Sequence, residues 1–199
     1  MPLARLKERF YSNAIWTYRG SSEGIYLTFD DGPHPETTEA LLELLDRYKV
    51  KASFFLLGKR VEQFPELFKK YEHHGHVIGN HSYTHLNGWT HGTKSSLRDF
   101  QQCEQVFTSK YYRPPYGKTT PQAASEIAKS HQIIMWDFLV NEFKARSADY
   151  CFQRFVSKCK KGSIVVFHEN DKSKDILLEL VERCLIHIGE KDWKCLTLH

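Results

Sequence analysis

From residue 25 onward the chain alternates short apolar runs with longer amphipathic stretches, and this alternation narrows the fold to repeated βα units. The apolar run at 25–29 is followed by the turn signal Asp31-Gly32-Pro33. After the turn, Leu41, Leu42, Leu44, Leu45 and Tyr48 recur at helical spacing across 37–48. The unit then repeats. Further strands are predicted at 52–57, 76–79, 111–113, 133–138, 163–167 and 196–198. Helices are predicted at 59–73 (interrupted near Pro65), 94–107, 120–130, 148–160 and 174–188. Seven strands joined through helices imply an α/β domain with a parallel sheet buried on both faces, as an open doubly wound sheet or a reduced barrel. Residues 1–22 read as an N-terminal extension packed on a core that comprises 23–199.

A chain of 199 residues can bury one core as a single domain, and 41% hydrophobic with 26% charged residues is ordinary for a globular protein. The net charge of +4 is spread along the chain with acidic residues interleaved, which leaves no basic stripe for nucleic acid. The lysines at 158–161 read as the solvated end of a helix. No run is apolar and long enough to cross a bilayer. Residues 1–10, with Arg5, Lys7, Glu8 and Arg9, lack the apolar segment of a signal peptide, so a cytoplasmic protein is expected. Five cysteines without a C-x-x-C pair argue against a disulfide framework or a cysteine metal site. Eleven histidines, several of them clustered between His73 and His91, point to metal chemistry.

The distinctive polar residues fall just past the carboxyl ends of predicted strands, where α/β folds build their sites. Asp30 and Asp31 leave the first strand in different directions, so one can bind a cation while the other accepts a proton; alone, the segment is also an ordinary Asp-Gly-Pro turn. His81 and His85 are four residues apart, close enough to meet one cation, although such pairs also arise by chance on surfaces. Arg113 precedes two prolines that stiffen its turn, and an immobilised guanidinium there can hold a carboxylate ionised or form a structural ion pair. His168 ends an apolar strand, as either a hydrogen-bonded core residue or an acid catalyst. His34, His73, His74, His76, His91, His131, His187 and His199 read as surface or structural.

Together these segments resemble the polysaccharide deacetylase superfamily of carbohydrate esterases. The motifs stand in order as Thr28-Phe29-Asp30-Asp31-Gly32-Pro33, His81-Ser82-Tyr83-Thr84-His85, Arg113-Pro114-Pro115-Tyr116 and Val166-Phe167-His168. The resemblance implies a distorted seven-stranded (β/α) barrel that removes acetyl groups from N-acetylated saccharides. It implies that Asp31, His81 and His85 hold a divalent metal, usually Zn2+ with Co2+ as an alternative. It further implies Asp30 as general base with Arg113 as its orienting partner, the Tyr116 backbone N–H as an oxyanion donor, and His168 as the acid that protonates the departing amine.

One departure stands out. Most family members carry an aspartate four residues before a Trp to support the acid histidine, whereas Leu139 and Phe143 occupy those places here. Either Asp137 or Glu142 replaces the carboxylate, or the acid works at a lower pKa. Phe143 and Val166 remain able to form an apolar slot for the acetyl methyl. Two other functions share these residues: an amidase for a small non-sugar compound, and a catalytically silent sugar-binding protein.

Overall fold

The computed structural model describes residues 11, 13–20, 23–144 and 147–199. Its elements, in chain order, are β1 (Ala14–Ile15), β2 (Gly24–Asp30), α1 (Thr38–Arg47), β3 (Ser53–Leu56), α2 (Gly58–Gln63), α3 (Pro65–His73), β4 (Val77–Asn80) and α4 (Gly88–Val106). They continue as β5 (Tyr111–Tyr112), α5 (Pro121–Ile127), β6 (Gln132–Ile134), β7 (Phe138–Leu139), α6 (Ala148–Lys158), β8 (Ile164–His168), α7 (Lys174–Glu190) and β9 (Lys194–Leu196). The strands pair in parallel in the order β1-β6-β5-β4-β3-β2-β8-β7, with β9 against the first residues of β2. Strands β2 to β8 form the wall of a distorted seven-stranded (β/α) barrel in one domain, and the short β1 and β9 are added to it.

The strand expected at 133–138 is in fact two. β6 belongs to one end of the sheet and β7 to the other, so residues 135–137 must cross between them. Met135 donates its N–H to Ile15 O at 2.7 Å and Asp137 donates to Ile164 O at 3.3 Å, so single hydrogen bonds span the gap where a ladder would otherwise run. β1 has only two residues and therefore no readable period. The first ten residues of the expected extension lie outside the described residues, whereas Tyr11 is buried against Phe100, Tyr112 and Ile133.

Side-chain alternation sorts the wall into two faces. Ile25, Leu27 and Phe29 of β2, Phe54 and Leu56 of β3, and Val165 and Phe167 of β8 pack with the helices in the main core. Phe29 stacks on Phe54 at 4.9 Å and on Phe167 at 5.3 Å between ring centroids. The intervening residues line the barrel interior, where Tyr26, Phe55, Ile134 and Ile164 form its apolar floor. The same parity brings Thr28, Asp30, Val166 and His168 inward, and the register pairs Asp30 with His168 at the carboxyl end. Chemistry-bearing residues thus sit on the rim because an apolar floor fills the barrel beneath them.

The helices follow their sequence signals, including the expected interruption at Pro65, with an earlier start for α4. Pro65 opens α3 and separates it from α2. α4 starts at Gly88, six residues before the expected start; Asn87 caps it, and Gly92 interrupts it at φ 76. Where the N-terminal segment crosses the barrel bottom, Tyr18 N–H bonds Gly162 O at 2.8 Å and Gly162 N–H bonds Gly24 O at 2.6 Å. Gly162 has φ +83, and a Cβ there would lie 2.4 Å from Arg19 N. Gly162→Ala is therefore expected to cost at least about 2 kcal/mol, lowering Tm by roughly 4–8 °C; an unchanged calorimetric Tm would contradict this packing.

Candidate active site

Asp31 leaves β2 with φ +78, a conformation in which a non-glycine residue is strained. The turn swings its carboxylate toward the loop after β4, which carries His81 and His85. His85 also has positive φ, at 63°, and its N–H bonds Ser82 Oγ at 3.1 Å. Asp31 Oδ1 lies 3.6 Å from His81 Nε2 and 3.3 Å from His85 Nε2. His81 Nδ1 sits 2.8 Å from Arg113 O, a bond in which Nδ1 carries the proton, so the Nε2 lone pair faces Asp31. Burial, with His85 adding to it, pushes His81 down to about 3, so its imidazole is neutral. Asn170 Nδ2 donates to Asp31 Oδ2 at 2.6 Å, while Oδ1 is buried without a hydrogen-bond partner. Three ligand atoms within 4.8 Å of one another, with an orphaned carboxylate oxygen among them, fit a divalent cation.

Asp30 lies alongside. Its Oδ2 is 3.9 Å from His81 Nε2, and its Oδ1 accepts from Arg113 Nη1 at 2.7 Å. Arg113 is fully buried inside the barrel, where Nε donates to Ile134 O at 3.1 Å, Nη2 to Met135 O at 3.1 Å and Nη1 also to Thr28 Oγ1 at 2.7 Å. Its guanidinium lies 4.0 Å over the Phe55 ring. The pair leaves one oxygen of Asp30 turned toward the ligand cage and free to take a proton.

His168 ends β8 opposite Asp30. Its Nδ1 is 3.0 Å from Glu142 Oε1, which also accepts the His168 backbone N–H. Glu142 is fully buried in the turn after β7, three residues beyond Leu139, and stands where His168 needs a carboxylate. Asp137 is engaged elsewhere, accepting from Ile164 N–H at 2.7 Å and Ser163 Oγ at 3.0 Å and pairing with Arg19 at 2.7 Å. Burial opposes charge on His168, but the bond and charge of Glu142, with Asp31 and Asp30 beyond, outweigh it and raise the imidazole to about 9. The Phe143 ring packs edge-on to His168 at 4.5 Å, and Val166 is buried one inward position below it. Tyr116 sits in the Pro-rich turn with φ +59 and its ring 4.5 Å from His85.

The structure thus brings together Asp30, Asp31, His81, His85, Arg113, Tyr116, Phe143, Val166 and His168 at one end of the barrel. Four supporting residues escaped sequence reasoning. Asn170 orients Asp31, and Asn80 accepts the Ser82 N–H at 2.7 Å. Asp99 accepts from Thr84 Oγ1 at 2.8 Å, and buried Glu169 accepts from Tyr71 OH at 2.8 Å behind Gly32. His34, expected at the surface or in a structural role, is buried, with Nε2 3.0 Å from Asp171 and Nδ1 accepting Glu36 N–H at 3.2 Å. Both of its ring nitrogens are occupied, which argues against a second cation among His34, Glu36 and Asp171.

Fold and site define a (β/α) barrel whose strand ends set a cation-sized ligand cage between an arginine-paired carboxylate and a carboxylate-supported imidazole. The polysaccharide deacetylase family profile matches residues 18–136. A peptidoglycan-N-acetylglucosamine deacetylase of Bacillus cereus is 33% identical over 151 residues, which span 72% of this chain and 55% of that protein, so the chain covers about half of that relative. A second B. cereus peptidoglycan-N-acetylglucosamine deacetylase is 30% identical over 92% of this chain and 90% of its own length. The solved Bc1960 peptidoglycan N-acetylglucosamine deacetylase superposes with TM-score 0.90 at 26% identity, covering 100% of this chain and 95% of that one. The chain belongs to the polysaccharide deacetylase family.

Glu142→Gln is expected to drop His168 from about 9 toward the ordinary histidine range near 6.5, as read by NMR titration of the ring. A group raised on folding contributes stability below its unfolded pKa and loses it as pH climbs through the folded value. The stability gap between wild type and variant should therefore narrow as pH rises through about 9. A His168 titration unmoved by the substitution would show that Glu142 does not support the charge.

Proposed function

We propose that this chain hydrolyses the acetamide of N-acetylated amino sugars in poly- or oligosaccharides, releasing acetate, with Zn2+ held by Asp31, His81 and His85. The observation that carries the reading is the orphaned Asp31 Oδ1 facing two imidazole nitrogens next to the uncommitted oxygen of Asp30. The named activities of the relatives agree with it. Two nitrogen ligands and one oxygen suit zinc, with Co2+ as an alternative. The bound ion supplies Lewis acidity at the acetyl carbonyl and lowers the pKa of water.

The chain's own residues carry the proton steps. Asp30, oriented by Arg113, removes a proton from the attacking water. The Tyr116 backbone N–H donates to the oxyanion that develops on the acetyl carbonyl. His168, held protonated by Glu142, gives its proton to the amine nitrogen, which cannot leave as an anion. Phe143 and Val166 border the place for the acetyl methyl.

Acetate release from a panel of N-acetylated saccharides, followed by mass spectrometry, should cease on chelation and return with zinc. Asp30→Asn should lower kcat by about 10²–10⁴-fold with zinc still bound, because Arg113 keeps its carbonyl and Thr28 partners. Turnover that survives chelation or Asp30→Asn would overturn the mechanism, and hydrolysis of ureides in place of saccharides would move the substrate to the small-amide class.

A further inference from the structure

We propose that Glu169 is a positioning residue for the ligand cage: its buried carboxyl group holds the turn after β2 so that Asp31 faces His81 and His85. This rests on the zinc-cage reading and adds to it the group that gives Asp31 its direction. Glu169 follows His168 in the chain and is fully buried. Where His168 turns into the barrel, Glu169 reaches the helix side of the wall. There its Oε2 accepts from Tyr71 OH at 2.8 Å and its Oε1 from Thr38 Oγ1, and these two hydroxyls lie 3.1 Å from each other. Thr38 Oγ1 also accepts the His34 N–H at 2.8 Å. One carboxyl group thus gathers the first residue of α1, the tyrosine of α3 and the far end of the turn.

The same residue brackets Asp31. On the near side the Glu169 N–H bonds Asp30 O at 2.8 Å. On the far side Gly32 lies against the carboxyl group, where a Cβ would stand 2.5 Å from Glu169 Oε2 and 2.7 Å from Tyr71 OH. The next residue, Asn170, donates to Asp31 Oδ2 at 2.6 Å, and between these holds Asp31 keeps its φ of +78. Stability does not explain the carboxyl group. It forms no salt bridge among the described residues, and burying such a group is costly to a fold. Its two acceptor oxygens meet the one need that a hydrocarbon side chain cannot, which is to draw two hydroxyls and a tight turn to a single point.

The test measures zinc affinity by competition with a chromophoric chelator, beside the calorimetric Tm of the zinc-free protein. Glu169→Leu should weaken zinc binding about 10–100-fold, the loss expected of a partner behind a metal ligand. Glu169→Gln should restore most of that affinity, because its amide N–H can donate to Tyr71 while Thr38 donates to its carbonyl. Asp137→Asn, a change to a carboxylate bonded at the start of β8, should leave zinc affinity at the wild-type value even where Tm falls. The proposal is overturned by wild-type affinity in Glu169→Leu, or by a comparable loss in Asp137→Asn, which would mark a general effect of weakened folding. It is also overturned by a Gln variant as weak as the Leu variant, which would mark a charge effect rather than a hold on the turn. Should Glu169→Leu fail to fold, Tyr71→Phe decides: it keeps the ring 4.7 Å from Phe54 and removes one bond to the carboxyl group. That variant should weaken zinc about 2–10-fold, and an unchanged affinity overturns the proposal. Zinc binding that His81→Ala leaves unaltered would remove the cage and this proposal with it. Zinc bound at the cage without acetate release would refute the deacetylase reading alone, and the affinities would still judge Glu169.

Discussion

The buried pair of Arg113 and Asp30 is the interaction on which the site depends. A guanidinium inside an apolar barrel costs several kcal/mol in desolvation, and here four hydrogen bonds and the Phe55 ring offset it. Those bonds reach both sides of the barrel, from Thr28 and Asp30 on β2 to the carbonyls of Ile134 and Met135 at the end of β6. The carbonyl of Arg113 holds His81 Nδ1 in turn. One residue therefore positions both Asp30 and His81, and ties them to the seam where the chain crosses from β6 to β7.

Backbone strain is concentrated at the same end. Of the non-glycine residues with positive φ among those described, Asp31, Ser82, His85, Tyr116 and Asn141 lie in loops after barrel strands, while Lys49 and Asp192 follow helices. Each such residue costs on the order of 1–3 kcal/mol and persists where surrounding bonds over-determine it. Asn80, Asp99, Asn170 and Glu169 supply those bonds. They bring side chains far apart in sequence to a few ångströms of one another without lengthening the loops.

Much of this was legible in the sequence because two physical signals carried it. Apolar periodicity located the strands that bury both faces, and the change from apolar to polar at residues 30, 81, 113 and 168 marked their rim ends. What stayed hidden depends on direction in space. The division of 133–138 into β6 and β7 follows from closure of the barrel, which no local pattern encodes. The choice between Asp137 and Glu142 as partner of His168 was open because residue spacing does not say which carboxylate points inward; Asp137 binds Ser163 and Arg19, and Glu142 turns back to His168. Asn170 and buried His34 carry no periodic or motif signal, so only the folded loops show what they touch.

Asp31, His81 and His85 are proposed to share one cation. X-ray absorption at the zinc edge of the zinc-loaded protein measures this. It should show one equivalent of bound metal with two imidazole nitrogens at about 2.0–2.1 Å and a carboxylate oxygen at about 2.0–2.2 Å, with one imidazole lost in His81→Ala. Zinc bound without imidazole ligation, or a spectrum unaltered by that substitution, would contradict it.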